Sequence, residues 1–170
     1  NGVQGLRDVL FAEAGSAQSK LLDQTNYTQP ALFAFEVSLA RLLMAWGINP
    51  DFLIGHSIGE VAAAYVGGLW TPEDACRLVA ARARLMQDTG AGGMVSIQAN
   101  SAEVESVIHE FGFGVDVAAT NGPMSTVISG EIEAVLACAE ALKHRGRKVR
   151  SLNVSHAFHS RTMDPVLEEF

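Results

Sequence analysis

The sequence predicts a mixed α/β fold in two parts. Residues 52–54, Phe-Leu-Ile, form a short and wholly apolar run, the pattern of a buried strand in a parallel sheet. Beyond residue 93 the rhythm shifts to strand, helix, strand, strand, helix, strand. The composition is 48% apolar with only 7% aromatic residues, so 170 residues can build an alanine-, leucine- and valine-rich core for one domain with a small subdomain.

Residues 30–46, PALFAFEVSLARLLMAW, read as an amphipathic helix, with Pro30 in its first turn and Gly47 ending it. Ile48-Asn49-Pro50 is a loop before the apolar strand. Residues 58–66 resume as a helix whose Ala62, Ala63 and Ala64 permit close packing, and Gly67-Gly68 stops it. Thr71 is the N-cap of the next helix, with Pro72 at its first position and Glu73 and Asp74 in its first turn; it runs to about Gln87. Gly90 to Gly93 make a loop. Strands then follow at 94–98, 115–119, 126–129 and 148–154, with helices at 102–111 and 131–145 and a turn at Asn121-Gly122-Pro123. That βαββαβ order is the ferredoxin-like pattern. The division is therefore a core, 1–93 and 156–170, carrying a ferredoxin-like subdomain at 94–155.

A net charge of −7 argues against a nucleic-acid or anionic-membrane surface, which needs clustered positive charge. No apolar run approaches the roughly 20 residues that span a bilayer, and NGVQGLRDVL is not a signal peptide. Cys76 and Cys138 are isolated in helical contexts and read as small core residues in a reducing, cytoplasmic setting. With five scattered histidines they show no metal-ligand spacing. The chain lacks an initiating Met, and MDPVLEEF reads as the opening turns of a helix, so a piece of a longer chain is expected.

The chemistry concentrates in residues 52–60, FLIGHSIGE. An apolar strand, then G-x-S-x-G, then a helix is the arrangement of a nucleophile elbow. Its strained turn lifts the Ser57 hydroxyl out of the fold, and its glycines avoid collisions with the neighbouring elements. At the helix start the Ile58 N–H can donate to a developing oxyanion, a contribution whose loss typically costs about 10²–10³ in rate. The structural alternative is a plain turn with a serine N-cap.

A nucleophilic serine needs a base. His109 and His144 lie late in polar helices and read as solvated. His56 adjoins Ser57, where neighbouring side chains point apart, so it reads as structural. His156 and His159, in SHAFHS, sit in a loop after a strand, and spacing does not choose between them. Arg82 stands out differently. It falls on the apolar stripe Ala75, Leu78, Val79, Leu85, Met86, while Arg77 and Arg84 lie on other faces. A core-facing guanidinium must meet an anion. That anion is either internal, Glu60 or Glu36, or a substrate carboxylate held by the guanidinium fork. Spacing leaves both open.

Together TQPALF, GHSIGE, ARARLMQ and NVSHAFHS resemble, in order, the acyltransferase domain of modular type I polyketide synthases, relatives of malonyl-CoA:acyl-carrier-protein transacylases. The resemblance runs from about Gly5 to Phe170. It implies an α/β-hydrolase-like parallel-sheet core with a ferredoxin-like subdomain. It also implies Ser57 as nucleophile, His159 as general base and acid, and the Ile58 N–H in the oxyanion hole. Arg82 is implied to pair with the extender carboxylate, and Gln29, His56, Asn121 and Phe158 to belong to the substrate-binding set. The implied cycle is ping-pong, from malonyl-CoA through a malonyl-Ser57 ester to the phosphopantetheine thiol of an acyl-carrier protein, with neighbouring synthase domains such as the ketosynthase. No bound cofactor is expected.

HAFH resembles the malonyl-type signature, where methylmalonyl-type relatives carry YASH. Phe158 would crowd a methyl branch, and Ile58 fits the malonyl type, where methylmalonyl domains often have Gln. Excluding one methyl is worth about 1–3 kcal/mol, so the preference should be strong but leaky. Two family features are missing from these residues: a Gly-Gln-Gly-Ser-Gln turn whose glutamine supplies part of the oxyanion hole, and the carbonyl that orients the catalytic histidine. Near-inactivity of the isolated piece is therefore expected. The alternatives are a serine lipase or esterase, against which Arg82 and HAFHS argue, a non-catalytic docking module that retains the motif, and a starter-loading acyltransferase, in which Arg82 would be missing.

Overall fold

A computed structural model describes residues 5–170, so the first four residues of the expected core segment lie outside the described residues. The chain divides into two compact units, residues 1–87 and 88–170.

The first unit is helical: α1 (Leu6–Leu10), a 3-10 turn (Ser19–Asp23), α2 (Thr25–Ala45), α3 (Gly59–Val66) and α4 (Pro72–Gln87). α2 begins five residues earlier than the sequence predicts, which puts Pro30 inside the helix. The run Thr25-Asn26-Tyr27-Thr28-Gln29 is polar, yet Thr25 and Gln29 are buried, and burial outweighs propensity there. α4 starts as expected. The Thr71 hydroxyl accepts the Asp74 N–H at 3.1 Å and donates to the Asp74 carboxylate at 2.8 Å. Phe33, Ile58, Val61, Ala62, Ala75 and Val79 form the core of this unit.

Residues 52–54 are not a strand, because no other strand exists among the described residues of this unit to share a hydrogen-bond ladder. Phe52 and Ile54 are 93% and 95% exposed. Cys76, expected in the core, is instead exposed, one position off the buried stripe of Ala75, Val79 and Ala83, whereas Cys138 is buried.

The second unit runs β1 (Gly93–Ile97), α5 (Ser101–Phe111), β2 (Val115–Gly122), β3 (Ser125–Gly130), α6 (Ile132–His144), β4 (Val149–Ser151), and then a 3-10 turn (Arg161–Val166). The strands form one antiparallel sheet in the order β2-β3-β1-β4, the ferredoxin-like arrangement. Val95, Ile97, Val115 and Ile128 from the strands pack with Val104 and Val107 of α5 and Val135, Cys138 and Leu142 of α6. Burial pushes the Cys138 thiol up to about 11. Asn100 caps α5 by accepting the Glu103 N–H at 2.9 Å, and Gly112 closes it in the left-handed region. The β2–β3 turn is Pro123-Met124, one step later than expected, so Asn121 lies on the exposed end of β2.

Candidate active site

The elbow is built from a tight turn that locks onto the start of α3. The carbonyls of His56, Ser57 and Ile58 accept from the N–H groups of Gly59, Glu60 and Val61, each at 3.0 Å. Ser57 carries φ = 55°, in the left-handed region that costs an L-residue about 1–2 kcal/mol. Gly55 is needed because a Cβ there would overlap the backbone of Gly59 and Glu60. Gly59 is not needed for the same reason. A Cβ on it would meet only the Glu36 carboxylate, at an ordinary 3.6 Å. The close approach lies between the turn and α3, not between the turn and a strand.

Ile58 turns its side chain into the core with Phe33 and Val79, which fixes the peptide that follows Ser57. Its N–H donates to no backbone carbonyl among the described residues. His56 is exposed.

Arg82 is half-buried and reaches this turn. Its Nη2 lies 3.3 Å from Ser57 Oγ, and its Nη1 donates to Gln29 Oε1 at 2.5 Å. Gln29 is 6% exposed, and its amide nitrogen contacts Met86 Sδ at 3.3 Å, so the amide is oriented with its oxygen toward the guanidinium. Burial holds the Arg82 guanidinium below its ordinary value. No ion pair of Arg82 is found among the described residues, and neither Glu60 nor Glu36 serves it. One Glu36 carboxylate oxygen is itself buried without a hydrogen bond among the described residues.

The histidines separate by environment. His109 is exposed, and so is His144, whose Nε2 is 3.5 Å from Glu140. His156 is buried, with Nδ1 at 2.9 Å from Ser155 Oγ and its ring 5.7 Å from that of half-buried Phe158. His159 is exposed and adopts φ = 58°. Among the described residues, Ser57 and His159 are the non-glycine residues with positive φ, the kind of strain that clusters at functional sites. No group of three His, Cys, Asp or Glu among the described residues could hold a metal ion.

Residues 6–170 match the acyl transferase domain family. The chain belongs to that family. It is 55% identical over 167 residues to polyketide synthase GfsA of Streptomyces halstedii, an alignment covering 97% of this chain and 2% of that protein. Among solved structures, it superposes on the acyltransferase domain from the second module of the salinomycin polyketide synthase with a TM-score of 0.88 and 51% identity, over 98% of this chain and 39% of the other. It also matches a malonyl CoA-acyl carrier protein transacylase from Clostridium perfringens, with a TM-score of 0.84 and 30% identity, over 96% of this chain and 52% of that one. The acyl transferase chain thus spans about half or less of the length of these relatives. Among its described residues no helix is long and apolar enough to cross a membrane.

The side chains that sequence reasoning missed are those that hold the site's parts. Asp116 and Gly92 contact the segment around His159 from 45 and about 65 residues away. No local signal marks a contact at that separation. In the sequence Gly92 reads only as a loop glycine.

Proposed function

We propose that this acyl transferase chain moves a malonyl unit from malonyl-CoA to the phosphopantetheine thiol of an acyl-carrier protein in polyketide biosynthesis. The observation that carries the reading is Arg82, a desolvated guanidinium 3.3 Å from Ser57 Oγ whose protein partners are neutral. Gln29 aims this cation without neutralising it, so its charge stays available to a carboxylate that arrives with the substrate.

In this reading His159 takes the Ser57 proton as Oγ attacks the thioester carbonyl. The oxygen charge falls on the Ile58 N–H, coenzyme A leaves as its thiol, and a malonyl-Ser57 ester remains. His159 gives the first proton to the departing coenzyme A sulfur, then takes the proton of the carrier-protein thiol as that sulfur attacks the ester, and delivers it to Ser57 Oγ. Arg82 binds the spectator carboxylate in ground state and transition state alike, so it acts through binding and selectivity. Phe158 narrows the site against a methyl branch, although its ring also packs beside His156. Ile58 contributes to selectivity only through the core packing that sets the turn. His56 and Asn121 complete the proposed substrate-binding set, and neighbouring synthase domains such as the ketosynthase are the expected partners.

Residues 94–155 are, in this proposal, an insertion in a core made of 1–93 and 156–170. Its support is that the chain enters and leaves that segment at one place. Gly92 N–H donates to the Ser155 carbonyl at 3.0 Å, and Ala91 bridges His156.

The test incubates a complete acyltransferase domain carrying these residues with malonyl-CoA or methylmalonyl-CoA and reads the mass of the Ser57 peptide. A malonyl adduct on Ser57 with little methylmalonyl adduct is expected. No adduct with either would favour a docking module that retains the motif.

A further inference from the structure

His159 holds a left-handed backbone in an exposed loop, so something must over-determine that loop. Upstream, Ala157 is fully buried against Gly92, where any Cβ would stand 2.6 Å from the Ala157 nitrogen. The Ala157 carbonyl accepts from Ser160 Oγ at 2.7 Å and Thr162 Oγ1 at 2.9 Å, closing the loop over His159. Downstream, the Asp116 carboxylate on β2 takes both arms of Arg161. Oδ2 accepts the Arg161 backbone N–H at 2.9 Å, and Oδ1 accepts Nε at 3.1 Å.

The geometry points to Asp116 as the positioning residue for His159, pinning the chain two residues past the base so that the imidazole keeps one orientation. Arg161 is largely exposed, and a surface ion pair of this kind ordinarily contributes little to stability. The backbone N–H bond is different. It fixes the main chain, it is charge-assisted, and its acceptor is mostly buried at a position of β2 that pairs with Ser129 of β3. Asp116 touches no reacting atom and acts through His159, so the inference rests on the catalytic reading of that histidine.

The experiment measures single-turnover acylation of Ser57 by malonyl-CoA in the complete domain for Asp116→Ala, Asp116→Asn, Arg161→Ala and His159→Ala, with thermal unfolding of each. A misplaced base costs on the order of 10²-fold, so Asp116→Ala should lower the maximal rate by about that factor with the half-saturating malonyl-CoA concentration unchanged. Asp116→Asn, which still accepts the Arg161 N–H, should recover much of the loss. Arg161→Ala keeps the backbone arm and should lose least. The inference is overturned if the Asp116 variants keep the wild-type maximal rate while His159→Ala abolishes it. It is also overturned if the losses appear in half-saturation, or if they follow the unfolding temperatures of all three clamp variants. Full activity in His159→Ala would overturn this inference and the catalytic reading together.

Discussion

Ser57 and His159 share a left-handed backbone, yet the two are held in different ways. Ser57 is held locally. Gly55 presses on Gly59 and Glu60, and the carbonyls of residues 56–58 are taken by the next turn of chain. His159 is held from a distance, by Gly92 before it and Asp116 after it. The elbow is thus a short self-contained device, whereas the histidine loop depends on a folded sheet. A motif can specify the first, and only a tertiary structure can specify the second.

The largest effects should come from the two glycines. Gly55→Ala forces a side chain into backbone that cannot move without unwinding the start of α3, and should destabilise by about 3 kcal/mol or more. Gly92→Ala presses on the Ala157 side chain and backbone, and should cost a comparable amount. Gly59→Ala, inside the same motif as Gly55, should cost less than about 1 kcal/mol. Denaturant unfolding of the three variants measures this. Equal losses at Gly55 and Gly59 would break the picture of a locally locked elbow.

A smaller effect sharpens the comparison. In ordinary helix or strand backbone, Ala is more stabilising than Gly by about 0.5–1 kcal/mol. At a left-handed position the order reverses, because Ala pays about 1–2 kcal/mol of steric strain. Ser57→Gly should therefore be more stable than Ser57→Ala by about 1 kcal/mol, and His159→Gly more stable than His159→Ala by a similar amount. Comparing variants at one site cancels the lost side-chain contacts. Thermal unfolding that ranks Ala above Gly at either site would remove the strain from that residue.

The same contrast explains what could be read from sequence. The ferredoxin-like unit was legible almost element by element, since its strands and helices follow one another in a βαββαβ order and its sheet is complete among the described residues. The elbow was legible because glycine, serine and a helix start lie within a few residues of one another. Arg82 was visible as a charge on an apolar stripe, but its partners Gln29 and Ser57 lie 53 and 25 residues away, and spacing left its anion open. Residues 52–54 misled because an apolar run encodes burial potential, while a strand also needs a neighbour to bond. The early start of α2 was hidden because buried Thr25 and Gln29 are polar. Asp116 carried no local mark, and Gly92 only that of a loop glycine.

The central claim is that Arg82 beside Ser57 selects a substrate by its carboxylate. The most direct measurement compares Ser57 acylation by malonyl-CoA and by acetyl-CoA in wild type and in Arg82→Ala, within the complete domain. A hydrogen bond to a charged group is worth about 1.5–3 kcal/mol. The variant should therefore lose about 10- to 100-fold in kcat/KM for malonyl-CoA, mostly through KM, while acetyl-CoA changes little. Equal losses for both substrates, or none for malonyl-CoA, would contradict the claim.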